Sequence, residues 1–169
     1  MAHRNNDVLV DKLCERLAVE TGGVDIYQAA IAKLNDPTVV GRLKHFMQEE
    51  AKHRDLLAAY LDRLGVEERQ TPSARLAKHE GDAYLKLIAE AQTPAQLLNI
   101  LLTVELMDEN GWEMIINLGR DIHDDEMVRT LNVALKDEKE HLRGVRGMLA
   151  KMTRDSLAAA DAANLPDPV

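Results

Sequence analysis

Two copies of the pattern Glu-x-x-His place a carboxylate and an imidazole on one face of a predicted helix. Glu50 and His53 form the first copy, in "EEAKH", and Glu138 and His141 form the second, in "EKEH". Residues three apart lie on the same side of an α-helix, about one turn from each other. Both copies fall within apolar stripes that would face a core, where an unpaired ionised group costs several kcal/mol. The pattern therefore requires a compensating partner such as a metal ion.

Two further glutamates complete the set, because Glu20 and Glu105 occupy the centres of apolar stripes on two other predicted helices. Glu20 and Glu50 are equidistant from one predicted turn, and Glu105 and Glu138 are equidistant from another. In an antiparallel helical hairpin such residues lie at the same height, so all four carboxylates should converge on one level. Four carboxylates and two imidazoles there predict two divalent ions. Mixed oxygen and nitrogen ligation suits iron or manganese, and also zinc.

Four long helices must position these groups. We predict them from Asn6 or Asp7 to about Leu34, from Pro37 to about Leu64, from Pro94 to about Gly119, and from about Asp124 to Lys151. Asp36 and Thr93 are expected N-caps, each followed by a proline at the first helical position. A weaker helical stretch over 74–91, interrupted by Gly81, lies in the longer link. The prediction is an all-α protein, an antiparallel four-helix bundle of two hairpins joined by a crossover containing a short helix.

Composition supports this class. Of 169 residues 46% are hydrophobic, yet there are only one Trp, three Tyr and one Phe, and strand-like alternation is nearly absent. We expect one bundle domain over 1–154 and a short C-terminal tail over 155–169 that ends in a frayed "NLPDPV". The single cysteine, Cys14, excludes an internal disulfide or a Cys-x-x-Cys metal site, and we expect it to be buried in a helix.

The net charge of −8 argues against nucleic acid or an anionic membrane as a partner. The sequence contains no run of 18 or more apolar residues, and its N-terminus lacks the apolar region of a signal peptide. A cytoplasmic protein is the resulting expectation.

The ligand set resembles that of the ferritin-like di-iron carboxylate superfamily, in particular its rubrerythrin and bacterioferritin branch. The resemblance spans about residues 7–152 and rests on Glu20, Glu105 and the two Glu-x-x-His copies. It implies two iron ions per chain, with manganese or a mixed pair as alternatives. The implied roles are bridging carboxylates (Glu50, Glu138), terminal carboxylates (Glu20, Glu105) and one imidazole for each ion (His53, His141).

Three residues near the ligands have family counterparts or matching offsets. Tyr27 lies seven residues after Glu20, where family members often carry a tyrosine that could hydrogen-bond a ligand or donate an electron, and it is the predicted catalytic residue. Trp112 has the same offset from Glu105, and Asp108 follows Glu105 by three residues, where rubrerythrins carry an additional carboxylate. The alternatives are core packing for the two aromatic residues, and a hydrogen-bonding or solvated role for Asp108.

Other polar residues match no ligand position. Glu49 and Glu109 lie off the stripe centres and are expected on solvated faces, while His45 and His79 are expected at the surface. The glycines at 22–23 indicate either a close approach of a neighbouring helix or a small oxidant, or a local irregularity without chemistry.

The resemblance also implies what the protein reacts with. The absence of cysteine pairs means no rubredoxin domain, so electrons would come from another protein, and Ala51 stands where bacterioferritin carries its haem methionine, so no haem is expected. The expected oxidant is O2 or hydrogen peroxide, and a homodimer or larger homo-oligomer is expected.

The implied function is a di-iron redox enzyme, a rubrerythrin-like peroxidase or oxidase that oxidises Fe(II) with hydrogen peroxide or O2 and is associated with oxidative stress. The alternative is a ferritin-type ferroxidase and iron-storage subunit. A bundle in which metal only stabilises the structure, and a hydroxylase of an organic substrate, also remain open.

Overall fold

Residues 2–163 are described by a computed structural model, with side chains described for residues 7–160, and they form five helices and no strand. The helices are α1 (Ala2–Ile31), α2 (Pro37–Arg63), α3 (Pro72–Glu90), α4 (Pro94–Asp121) and α5 (Asp125–Ala163). The all-α class predicted from the sequence is therefore confirmed over this part of the chain. Within the same residues, no helix has both the length and the apolar character that a membrane span requires.

Predicted capping residues account for the starts of α2 and α4. Asp36 accepts hydrogen bonds from two backbone N–H groups in the first turn of α2. Thr93 caps α4, and Gln96 completes a capping box by accepting from the Thr93 backbone N–H. Gly65 follows α2 with a φ of 71°, a left-handed conformation that favours glycine. Asp36, Thr93 and Gly65 lie at the helix boundaries expected from the sequence.

The N-terminal half differs from the prediction in the start of α1 and in the continuity of α3. Helix α1 begins at Ala2, so Asn6 and Asp7 lie within it rather than capping it. Helix α3 runs through Gly81 without interruption. At this point it passes close to α1, because a Cβ built on Gly81 would lie 3.9 Å from the Cα of Gly22.

The last helix is longer than predicted. Helix α5 continues to Ala163, past the expected end at Lys151, and residues 152–163 contain neither proline nor glycine to stop it. The predicted frayed segment "NLPDPV" lies outside the described residues. The division of the chain at residue 154 stays a prediction.

Helices α2 and α5 run in opposite directions, since His53 of α2 contacts Asp137 of α5 while Tyr60 contacts Asp124, nearer the start of α5. Helix α3 packs mainly on α1 and runs in the same direction. Near the start of both helices Asp11 accepts from Ser73, and near their ends Lys33 donates to backbone carbonyls of the last turn of α3.

A level of buried polar side chains divides the apolar core into two clusters. On α1, buried apolar residues up to Cys14 belong to one cluster, and those from Ile26 onward belong to the other. Cys14 is buried, as predicted, and burial raises the pKa of its thiol. Because α1, α2, α4 and α5 each contribute to both clusters, all four helices also pass through the polar level between them.

Candidate metal centre

Eight polar or charged side chains are buried in the level between the two clusters, each 5% exposed or less. They are Arg16, Glu20, Glu50, His53, Glu105, Asp108, Glu138 and His141. All six predicted ligands are among them. The six predicted ligands come from α1, α2, α4 and α5, which carry one or two of them each. The predicted convergence of the four glutamates is therefore present in the structure.

The ligands form two groups of four that share two carboxylates. One group combines Glu20 and His53 with Glu50 and Glu138, and the other combines Glu105 and His141 with the same two glutamates. Within each group, one ligand atom from every residue lies within 4.8 Å of the others. Buried Glu and His groups at this spacing could hold a metal ion in each half, with Glu50 and Glu138 facing both.

Unsatisfied oxygen atoms show that the centre fits cations. At least one carboxylate oxygen of each of the four glutamates is buried without a hydrogen-bond partner (Glu20 Oε2, Glu50 Oε2, Glu105 Oε2 and Glu138 Oε2). Buried polar atoms are normally paired, and an uncompensated buried charge is strongly destabilising. Four ionised glutamates carry a charge of −4, and two divalent ions would supply +4. The donor set therefore suits two such ions in both number and charge.

The two histidines present one ring nitrogen to the glutamates and the other to an outer carboxylate. His53 Nδ1 lies 2.8 Å from Glu138 Oε1, and His141 Nδ1 lies 3.2 Å from Glu50 Oε1. On the outer side, His53 Nε2 is 3.4 Å from an Asp137 oxygen. A carboxylate behind a ligating imidazole fixes the orientation of the ring and raises its basicity.

Glu49 supplies the corresponding outer contact for His141, with its Oε2 3.0 Å from Nε2. The expectation that Glu49 lies on a solvated face was wrong, since it is half-buried against this ring. The contact joins α2 to α5, and the periodicity of a single helix could not reveal it. Glu109 is partly exposed, 3.9 Å from Lys139, and His45 and His79 are exposed as expected.

Tyr27 and Trp112 are both fully buried and donate hydrogen bonds across the centre. The Tyr27 hydroxyl on α1 donates to Glu105 Oε1 on α4, and the Trp112 indole N–H on α4 donates to Glu20 Oε1 on α1 at 2.8 Å. Each aromatic residue thus holds one oxygen of a glutamate while the other oxygen has no hydrogen-bond partner. Burial and the charge of Glu105 raise the pKa of Tyr27 well above its usual range, so the phenol remains a donor.

Arg16 is a buried cation that sequence reasoning missed. Its guanidinium forms an ion pair with Asp108 and also donates to the Asp108 backbone carbonyl, while its Nε lies 3.2 Å from Glu20 Oε1. Gly111 makes room for it, since a Cβ there would overlap the guanidinium. Arg16 precedes Glu20 by four residues and so shares its helix face, which was the available signal. Among the described residues, Asp108 belongs to neither group of candidate ligands. Its carboxylate is paired with Arg16 instead.

Gly23 allows Glu50 to approach α1. A Cβ at this position would lie 2.8 Å from Glu50 Oε2, a separation that real side chains do not tolerate. Gly22 instead faces Gly81 of α3. The two glycines after Glu20 therefore permit close approaches of neighbouring elements, one of which involves a predicted ligand.

Without metal, the carboxyl groups have divergent proton affinities. Burial raises the pKa of Glu50 well above its usual range, and the charges of Glu138 and Glu20 add to this effect. Burial and the charge of Glu138 also raise the pKa of Glu105, to about 8. Burial alone would raise the pKa of Glu138 too, but the close approach and charge of His141 and His53 lower it to about 2.

The imidazoles bind protons more tightly than free histidine. Burial would lower the pKa of His53, but contacts with Glu138 and Glu20 outweigh it and raise that pKa to about 10. Contacts with Glu138 likewise outweigh burial at His141 and raise its pKa to about 9. Without metal at neutral pH, Glu138 is therefore an ionised carboxylate between two imidazolium rings. Metal ions would replace these protons.

Comparison with known proteins establishes a shared fold. No family model matches the sequence, and no curated protein matches it. The structure is similar to a solved structure titled "YcfI, a putative structural protein from Rhodopseudomonas palustris", with a TM-score of 0.73. The two chains share 16% sequence identity, over 84% of this chain and 92% of that chain. At this identity, the likeness speaks for the fold alone.

Proposed function

We propose that this protein is a ferritin-like di-iron oxidoreductase that oxidises Fe(II) with hydrogen peroxide or O2. One observation carries the proposal: two groups of buried ligands share Glu50 and Glu138, and every glutamate has an oxygen without a hydrogen-bond partner. The pattern of two Glu-x-x-His helices and two single-Glu helices is that of the carboxylate di-iron bundles. The same resemblance supports reading the five helices as a four-helix bundle with α3 as the crossover helix.

The two groups of candidate ligands indicate which residues would hold each ion. Glu20 and His53 would hold one ion, Glu105 and His141 would hold the other, and Glu50 and Glu138 would contact both. When bound, two Fe(II) ions can each give up one electron, and together they reduce hydrogen peroxide with two protons to two water molecules. An external electron donor protein would then return two electrons for each turnover.

The protein's own groups prepare the site for this reaction. Both apolar clusters exclude bulk water from the level of the ligands, which strengthens electrostatic interactions there. The Tyr27 hydroxyl and the Trp112 indole each hold one oxygen of a terminal glutamate, which fixes the direction of the other. Asp137 and Glu49 hold the outer nitrogens of the imidazoles. Tyr27 positions Glu105 through its hydrogen bond. Its redox role stays a prediction, which the oxidation rate of a Tyr27→Phe variant tests.

Rapid mixing of the iron-loaded protein with oxidant tests this function. The chain is loaded anaerobically with Fe(II) and mixed with hydrogen peroxide or O2, and the optical spectrum is followed by stopped flow. We expect oxidation that is faster than for Fe(II) in buffer, faster with peroxide than with O2, and lost in Glu50→Ala. Equal rates for the protein, the variant and free Fe(II) would contradict the proposal.

The same experiment separates two competing functions. Oxidation by O2 followed by uptake far beyond two irons per chain would indicate storage, the alternative that the resemblance implies. A structural role, as suggested for YcfI, would require metal only as a cross-link between helices. In that case Zn(II) and Fe(II) would stabilise the fold equally and neither oxidant would react at an enhanced rate.

A further inference from the structure

The two halves of the centre share most of their construction. Tyr27 lies seven residues after Glu20 and donates to Glu105, while Trp112 lies seven residues after Glu105 and donates to Glu20. Each half thus contains one aromatic donor to a terminal glutamate. In each half, the outer nitrogen of the imidazole meets a partly exposed carboxylate (Asp137 behind His53, Glu49 behind His141). This correspondence makes any difference between the halves informative about the two ions.

The main difference is a buried pair of charges on the Glu20 side. Arg16 lies four residues before Glu20, whereas the residue four before Glu105 is Leu101, which is fully buried and apolar. The side chain that pairs with Arg16 is Asp108, and the position corresponding to Asp108 on α1 is a glycine. The ion pair therefore has no counterpart in the other half.

Arg16 places a positive charge beside a predicted ligand, Glu20. Its Nε lies 3.2 Å from Glu20 Oε1, the oxygen that already accepts from the indole N–H of Trp112. The matching oxygen of Glu105 accepts from a neutral phenol. A fixed positive charge beside one carboxylate repels a divalent ion at that carboxylate, and the low dielectric of a buried site strengthens the repulsion.

We propose that Arg16 makes the two metal positions unequal, so that the ion held by Glu20 and His53 is the weaker and exchangeable one. The inference rests on the proposed dinuclear function and adds an order of binding to it. The position of Glu105 and His141 fills first and the position of Glu20 and His53 fills second.

A cavity borders Arg16 on the same side. It has a volume of about 320 Å³ and lies between α1, α3 and α4, with Arg16 in its wall together with Lys12, Glu80, Met107, Asn110 and Gly111. Arg16 contacts Glu20 and Asp108 while also lining this space. Movement of one side chain, seated against a glycine, would therefore connect the cavity to the weaker metal position.

Titration of the metal-free chain with Zn(II) in chelator-buffered solution tests the inference, because Zn(II) brings no redox chemistry. We expect two steps in the wild type, with dissociation constants that differ by about tenfold or more. Removing both charges in the double variant Arg16→Met, Asp108→Asn avoids leaving one of them buried alone, and should bring the two constants within about threefold of each other. Lys78→Met removes an exposed cation outside this cavity that is likewise paired with an acidic residue on its own helix, Asp82, and should keep the wild-type ratio.

The emission of Trp112 assigns the steps, because it is the single tryptophan of the chain and donates to Glu20. Its emission should change mainly in the second step. Two equal steps in the wild type, an unchanged ratio in the double variant, or an emission change completed by the first ion would each overturn the inference while leaving the dinuclear function standing. Failure of the wild type to bind a second ion would instead overturn the proposed function.

Discussion

The indole N–H of Trp112 on α4 donates a 2.8 Å hydrogen bond to Glu20 Oε1 on α1, from 92 residues further along the chain. Both side chains are fully buried, and Glu20 Oε2 has no hydrogen-bond partner. An indole nitrogen donates but does not accept, so this contact orients the carboxylate without taking its place as a ligand. Trp112 was expected from the sequence either to pack in the core or to lie near the predicted ligands; it is buried in the core and also donates to Glu20, one of those predicted ligands.

Replacing Trp112 by phenylalanine should weaken metal binding and keep the number of ions at two. The ring still fills the core, but Glu20 loses the donor that orients it, and loss of such a partner typically costs 10–100-fold in metal affinity. Chelator-buffered titration gives the affinity. Tyr60→Phe is the control, since it removes a partly buried hydrogen bond, to Asp124, away from the predicted ligands. Equal affinity for Trp112→Phe and the wild type would contradict this role.

Replacing Tyr27 by phenylalanine should leave two ions bound and change the reaction with oxidant. The variant removes the hydrogen bond to Glu105 and costs about 1 kcal/mol of stability. Stopped-flow oxidation of the Fe(II)-loaded variant gives the rate, and metal analysis gives the stoichiometry. An unchanged oxidation rate would mean that Tyr27 serves packing alone.

Gly23→Ala should reduce metal affinity with little effect on folding. The added Cβ would displace Glu50 Oε2, but it meets only the end of a flexible side chain, and alanine favours the helix by up to about 1 kcal/mol. Gly147→Ala in α5 is the control, because nothing lies within 4 Å of a Cβ built there. We expect both variants to fold, and only Gly23→Ala to lose affinity in a metal titration. Wild-type affinity in Gly23→Ala would show that Glu50 is not a ligand in this position.

The stability of the metal-free protein should fall as pH rises through neutrality. A group with a higher pKa in the folded protein binds more protons when folded, so raising the pH favours unfolding. For Glu105, burial raises the pKa from 4.5 to about 8, so its contribution is lost over that range. For His53, contacts with Glu138 and Glu20 outweigh burial and raise the pKa from 6.5 to about 10, and His141 behaves similarly up to about 9. Glu138 has the opposite sign, but it titrates below this range.

Metal loading should reverse this dependence, because metal ions bind deprotonated imidazole and carboxylate and release their protons. Thermal unfolding of metal-free and Mn(II)-loaded protein between about pH 5 and about pH 8 should therefore give slopes of opposite sign. Parallel curves would mean that the ions bind elsewhere.

The candidate ligand positions could be predicted because each lies within an apolar stripe that the periodicity of one helix reveals, and the same pattern occurs on four helices. Glu20, Glu105 and the two Glu-x-x-His copies interrupt otherwise apolar stripes, and an ionisable group in a core needs compensation whatever the details of packing. The N-caps Asp36 and Thr93 could also be predicted, because each side chain binds backbone N–H groups only two or three residues further along the chain. Such features depend on a few neighbouring residues, and the structure contains all of them.

Contacts between helices could not be predicted in the same way. Glu49 immediately precedes a predicted ligand and was expected to face solvent, yet it meets His141 on another helix. Asp137, which drew no prediction from the sequence, meets His53 in the same way. Arg16 was overlooked because its partner, Asp108, lies 92 residues away, so that neither residue alone indicated an ion pair. The extension of α5 could have been predicted, because residues 152–163 are rich in alanine and contain neither proline nor glycine to end a helix.

The number of metal ions bound per chain tests the central claim most directly. The chain is loaded anaerobically with Fe(II), freed of unbound metal and analysed for iron, beside Glu138→Ala and the control Glu140→Ala, which changes an exposed glutamate two residues away. We predict two ions for the wild type and for Glu140→Ala, and loss of the dinuclear site in Glu138→Ala, since both ligand groups share that residue. Fewer than two ions in the wild type, or two ions in Glu138→Ala, would contradict the assignment.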